Sequence, residues 1–231
     1  MEEAASKKYV LEEKDNKVVI SKDNVAKVFA MMANSPQYKR AANIKKENSS
    51  SSYWFDQWKD RELSKDELIK LLTLLNAENS THTSNEDIDQ IKKNILGIKE
   101  TLKTRLQNAD LTLVQHIIDG CKNTPLSFAT KFCHYACIYM FEDDARDNFP
   151  IFDDIMRKNL GKYSNAWETG KTKGKLKRNL TPKELADSDS EFGISDFYKF
   201  YRDCIQTIAD ENNVSKTGVE QLIWYYHNGN N

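Results

Sequence analysis

The chain has 231 residues, 39% hydrophobic and 30% charged, with a formal net charge of -1. That length can bury a sizeable core, as one domain or two intimately packed ones. Near-neutrality excludes a global basic field for nucleic acid, and no segment has the length and apolarity of a membrane span. In chain order, Met1 to Lys7 lacks the basic-then-apolar order of a signal peptide, so a reduced, cytoplasmic location is expected. Tyr9-Val10-Leu11 and Lys17-Val18-Val19-Ile20 predict a small hairpin turning at Asp15-Asn16. Apolar spacing over Asn24–Ala33 predicts a helix, and the serine run Asn48–Ser52 a loop. Tyr53, Trp54, Phe55 and Trp58 follow, as core residues or, on residue type alone, as base-stacking ones. Ser64 with Glu67 forms a capping box ahead of a stripe of Leu68, Leu71, Leu72 and Leu75. Ser84 with Asp87 opens another helix, with Ile88, Ile91, Ile95, Ile98 and Leu102 inward. Lys92, Lys93, Lys99, Lys103 and Arg105 lie off that stripe on a solvated face. Leu111–Cys121 reads as a short apolar helix.

Further on, Thr124 reads as an N-cap and Pro125 as the first residue of a helix reaching about Phe141. Its stripe is Ala129, Phe132, Cys133, Ala136, Cys137 and Met140. Cys121, Cys133, Cys137 and Cys204 show no CxxC; they read as small buried residues. A thiol site with His134 or His116 lacks ligand spacing, so no metal is expected. Glu142–Asp154 holds six acids against Arg146, whereas Arg157–Lys183 holds nine Lys/Arg against Glu168. Within the latter, residues 168–180 form a basic, glycine-containing loop without P-loop spacing. It is either solvated or a contact for a phosphodiester backbone. Thr181-Pro182 reads as a short helix start. Ile194–Asn212 is an aromatic-lined helix with Phe197, Phe200, Tyr201, Cys204, Ile205 and Ile208 inward. Ser215 caps a last helix carrying Val219, Leu222, Ile223 and Tyr226. No internal repeat is visible. The fold class is all-α, with a small N-terminal β-hairpin, over residues 1–231 as a single compact unit.

Lys131 stands about 200° from Ala129 on the helical wheel, off the buried stripe. It shares a face with Ser127, Tyr135 and Ile138 that is too apolar for ordinary solvent. Desolvation there lowers an amine's pKa and frees it as a nucleophile. Asp153, 22 residues on, precedes the next helix and reads as its N-cap, with Pro150 fixing the approach. Spacing alone favours a cap and a surface lysine; a catalytic pair is the sharper alternative.

The stretches Ala129-Thr130-Lys131-Phe132-Cys133-His134 and Phe149-Pro150-Ile151-Phe152-Asp153-Asp154-Ile155-Met156 resemble the helix-hairpin-helix DNA glycosylases, in particular the 8-oxoguanine DNA glycosylases. The resemblance covers roughly residues 110–161, the region holding the hairpin and the Lys/Asp pair. It departs at Lys122–Ser127, where the family's Gly-x-Gly is missing and the nearest glycine is Gly120. The resemblance implies a two-lobed helical fold, a monomer, double-stranded DNA as partner and no cofactor, the four-cysteine iron–sulfur loop being absent. It implies a bifunctional glycosylase/lyase that flips out a damaged base, an oxidised purine, with an intracellular, nucleoid-associated place in a bacterium. Lys131 would attack the sugar and Asp153 assist it. Lys122, Asn123, Thr124, Ser127, Lys158, Lys171, Lys173 and Lys175 would contact DNA, and Tyr135, Phe197 and Trp224 would line the base pocket. A catalytically inactive DNA-binding or interaction protein on the same fold is the alternative.

Overall fold

Asp15 and Asn16 both take left-handed φ, 54° and 60°, as a two-residue hairpin of the primed type requires. They join β1 (Glu13–Lys14) to β2 (Lys17–Val18), paired antiparallel with Glu13 opposite Val18. A computed structural model describes residues 10–34, 49–79, 81–169 and 193–228. Within them the chain is mostly helical, with eleven α-helices and this one hairpin.

The hairpin is stitched to α1 (Lys22–Asn34) by Asn24, which is fully buried. Its Nδ2 donates to the carbonyls of Glu12 (3.0 Å) and Val19 (2.9 Å), and its Oδ1 accepts from the Glu12 amide at 3.0 Å. A buried amide side chain must be bonded in this way, and here it fixes where the hairpin sits.

Part of the serine run is helix, not loop. Ser50 accepts from the Tyr53 amide and caps α2 (Ser51–Asp60), so the chain turns helical two residues earlier than its polarity suggests. Trp54, Phe55 and Trp58 are buried in the core. The Ser64/Glu67 capping box opens α3 (Lys65–Glu78), and all four leucines of its stripe are buried. The isoleucine stripe is divided between α4 (Asn85–Gly97) and α5 (Lys99–Gln107), because the backbone leaves the helical region at Ile98 (φ -116°, ψ 13°). After α6 (Thr112–Ile118) comes α7 (Leu126–Met140), which packs against α2, α3, α5 and α6.

Neither Thr124 nor Pro125 plays its expected part at the start of α7. Pro125 has φ -76° and ψ 56°, and the Leu126 amide bonds the Thr124 carbonyl at 2.7 Å, an inverse γ-turn. Proline's fixed φ suits the centre of that turn as well as a first helical position. The Thr124 hydroxyl is buried and caps nothing.

The acidic stretch after α7 is used for capping. Asp143 caps a 3-10 turn over Asp144–Asp147, and Asp147 accepts the Lys216 and Thr217 amides at 2.7 Å each. Those amides open α11 (Lys216–His227), which Ser215 caps as predicted. Between them lie α8 (Asp154–Asn159), α9 (Asn165–Thr169) and α10 (Ile194–Asn212). α10 ends on left-handed Asn213 and packs against α6, α9 and α11. Gly161 sits in a 3-10 turn continuing from α8, not at a helix terminus. All four cysteines are free and buried, as their isolated spacing implies. No helix among the described residues is long and apolar enough to cross a membrane.

Candidate functional site

α7 is buried almost all round. Of its 15 residues only Ser127, Lys131, Tyr135, Ile138 and Tyr139 are half-buried; the other ten are buried. The face singled out from sequence is therefore the one open side of the central helix. Lys131 Nζ donates to the backbone carbonyl of Asn79 at 3.3 Å, and the Tyr135 hydroxyl donates to Asn79 Oδ1 at 3.1 Å. Asn79 is the C-cap of α3, so that helix end covers the lysine face. Burial lowers the Lys131 pKa below an ordinary lysine's, while the carboxyls of Asp153 and Glu220 oppose the shift. An amine in this setting is neutral more often than an exposed one.

Asp153 is the N-cap of α8, and its Oδ1 accepts the Met156 amide at 3.0 Å. It lies close enough to Lys131 for the two charges to interact, but among the described residues they make no direct ion pair.

What holds Asp153 there is the segment before it. Phe149–Phe152 belongs to no helix or strand, yet all four residues are buried. Its backbone groups must find partners, and side chains supply them. His134 Nδ1 lies 2.9 Å from the Phe149 carbonyl. Tyr198 donates to the Pro150 carbonyl at 2.7 Å, and Tyr201 to that of Ile151. The Ile151 amide donates to Glu220 Oε2 at 2.6 Å and the Phe152 amide to Thr130 Oγ1 at 3.1 Å. Three helices, α7, α10 and α11, thus grip four residues.

The protonation states follow from these contacts. A carbonyl only accepts, so His134 carries its proton on Nδ1 and is the neutral tautomer. Burial pushes its pKa down to about 4. Glu220, 2% exposed, lies 4.0 Å from that nitrogen, and burial drives its carboxyl well above the usual range. Burial also raises the Tyr198 and Tyr201 phenols, which stay protonated and able to donate.

Of the residues predicted to contact DNA, Lys122, Asn123, Thr124 and Ser127 lie at or just before the start of α7 and Lys158 lies on α8. Lys122 is exposed and pairs with Glu86 at 3.7 Å. The backbone amides of Lys122 (2.7 Å) and Asn123 (3.4 Å), with Asn123 Nδ2 (2.8 Å), all donate to Asp87. The Asp87 carboxylate thus satisfies the donors of this loop from within the protein. Ser127 is half-buried, and Lys158 is exposed and paired with Asp154. Lys171, Lys173 and Lys175, the rest of the basic loop from 170 on and the Thr181-Pro182 helix start lie outside the described residues. Phe197 is buried, its ring 5.2 Å from Phe152 and 5.8 Å from Trp167, so it belongs to the core cluster, not to an open pocket. Trp224 is half-buried on α11. Among the described residues no three His, Cys, Asp or Glu side chains are grouped to hold a metal.

Sequence reasoning missed Asn79, Thr130, Tyr198 and Glu220, and placed His134 and Tyr201 without a role. Glu220 carried little signal: it stands about 100° from Val219 on the helical wheel, at the edge of the inward stripe. Asn79 carried none, because only the α3–α7 packing brings it to Lys131.

The geometry defines an all-α protein with a partly desolvated lysine on its central helix, beside a capping carboxylate held by buried polar groups. The chain belongs to the HI_0787_N family, described as an N-terminal domain, which matches residues 8–138. That match includes Asn79, Lys131, His134 and Tyr135; Asp153 and Glu220 lie beyond it. No curated protein and no solved structure matches the chain.

Proposed function

We propose that this protein is a DNA glycosylase/lyase on a two-lobed helix-hairpin-helix fold, acting on a flipped-out damaged base in double-stranded DNA. The supporting observation is the Lys131 amine, half-buried with a lowered pKa, within electrostatic reach of a carboxylate fixed by its own capping bond. In this reading the neutral Lys131 amine attacks the sugar C1′ as the bond to the base breaks. The base leaves with the bond electrons. Asp153 accepts the proton released from the nitrogen and returns it to the ring oxygen as the C1′–O4′ bond breaks, giving the protonated Schiff base. Tyr135 would border the extruded base, with Trp224 a further candidate. Because Asp87 occupies the Lys122 and Asn123 amides and the Thr124 hydroxyl is buried, backbone contacts fall to the side chains of Lys122, Ser127 and Lys158 and to the lysines at 171, 173 and 175.

A catalytically inactive DNA-binding or interaction protein on the same fold is the second reading. Two observations favour it: the Asp87 clamp, and the bond from Lys131 to the Asn79 carbonyl. Borohydride reduction on duplexes bearing an oxidised purine, a uracil or an abasic site separates the two. The first reading expects a covalent adduct from native protein and none from Lys131→Gln. It expects a slowing of about 100- to 10,000-fold in Asp153→Asn, the usual worth of a proton-transfer group. Native protein that traps none of the three substrates leaves the second reading.

A further inference from the structure

We propose that Glu220 is the positioning residue of the Lys131–Asp153 pair: by binding the Ile151 amide it sets where Asp153 stands relative to the amine. The proposal rests on reading those two residues as the reacting pair, but its mechanical core stands on contacts alone. Asp153 has two local anchors, its capping bond to Met156 and its carbonyl's bond from the Arg157 amide at 2.9 Å, and both fix it to α8 only. Its place relative to α7 depends on the preceding four residues, which have no secondary structure. Glu220 supplies the partner of the Ile151 amide, two residues before Asp153, at 2.6 Å. The bond ties the segment to α11, which touches α8 directly.

Glu220 is an unusual residue for such a task. It is buried 4.0 Å from His134 Nδ1, and the charges of Asp147, Asp153 and Lys131 act on it. A carboxyl buried there without a bonding role is costly, and the Ile151 amide it accepts offsets that cost. Gln221 Nε2 donates to its other oxygen at 3.3 Å, which orients the group. A glutamine at 220 would still present an oxygen to the Ile151 amide; a leucine would leave that amide unpaired and free the segment.

The test reads Lys131 itself. The Lys131 signal of protein labelled at lysine Cε is assigned by its loss in Lys131→Gln, and its amine is titrated by NMR in each variant. Glu220→Gln, which keeps the acceptor, is expected to titrate only slightly lower, through loss of the effect the Glu220 carboxyl itself exerts. Glu220→Leu is expected to titrate lower, because the displaced Asp153 no longer favours the charged amine. That extra fall is expected to vanish when both proteins also carry Asp153→Asn. Where Glu220→Leu does not fold, Thr130→Val removes the neighbouring anchor at Phe152 and is expected to lower the titration in the same Asp153-dependent way. The proposal is overturned if Glu220→Gln shifts Lys131 as much as Glu220→Leu, which marks a charge effect. It is equally overturned if the fall persists with Asp153→Asn or no fall occurs. These readouts need no substrate, so a failed borohydride trap with an intact titration pattern refutes the enzymatic reading alone.

Discussion

His134 and Glu220 are two buried titratable groups with opposite demands. His134 titrates at about 4 in the fold against 6.5 as an ordinary histidine. Between those values the unfolded chain binds a proton that the folded one refuses, so stability falls as pH drops from 6.5 towards 4. The shift corresponds to about 3 kcal/mol at full effect. Glu220 works the other way. Its raised pKa gives a contribution fully present below the ordinary carboxyl value and lost as pH rises. Urea unfolding at pH 7 and pH 4.5 checks both signs. His134→Gln, which keeps a donor for the Phe149 carbonyl, is expected to flatten the acid loss. Glu220→Gln, which removes the opposing gain, is expected to steepen it. An acid limb unchanged in His134→Gln would rule the histidine out as its source.

Elements begin and end here largely by local rules, and those rules were readable. Ser64, Ser84, Ser215 and Asp153 each bond the amide three residues on, and each was identifiable beside its apolar stripe. Ser64→Ala is expected to cost about 1 kcal/mol in chemical denaturation, the usual worth of a cap. Where elements meet, local rules fail. Thr124-Pro125 has the composition of a helix start, but the γ-turn at Pro125 wins. Asp87 is equally instructive. As third residue of its helix it reads as the partner of Ser84, and it does bond that hydroxyl at 3.0 Å. Its larger duty lies 35 residues away, where it accepts the Lys122 amide. Asp87→Ala is expected to lower stability by about 1–3 kcal/mol, because three partly buried bonds to the Lys122–Asn123 loop are lost. Thermal unfolding reads the loss, and faster amide exchange at Lys122 and Asn123 locates it.

On the scale of the whole molecule, α7 is the centre on which the other helices assemble. Phe132, fully buried, packs its ring 5.7 Å from Phe55 and 6.1 Å from Trp58. Phe132→Ala is expected to cost about 3–5 kcal/mol through lost burial and the cavity left behind. Because one continuous cluster runs from Trp54 to Ile223, circular dichroism and tryptophan fluorescence are expected to report the same midpoint. Separate transitions would mean that α2 and α3 unfold independently of α10 and α11. The smaller cluster of Leu11, Val18, Val28 and Leu222 ties the hairpin and α1 to the far end of the chain, an arrangement with no trace in local sequence.

The sequence by itself determined the fold class, most helix limits, the hairpin turn at Asp15-Asn16 and the off-stripe place of Lys131. Each depends on residues within one or two turns of chain, where periodicity and capping act. Only the tertiary structure decided what surrounds Lys131. Asn79 covers it from α3, and Glu220 reaches the Ile151 amide across 69 residues. It also decided that Asp87 fills the loop at Lys122–Asn123. Buried backbone groups must be paired, but which distant side chain pairs them is settled by how helices pack, and no local pattern encodes that choice.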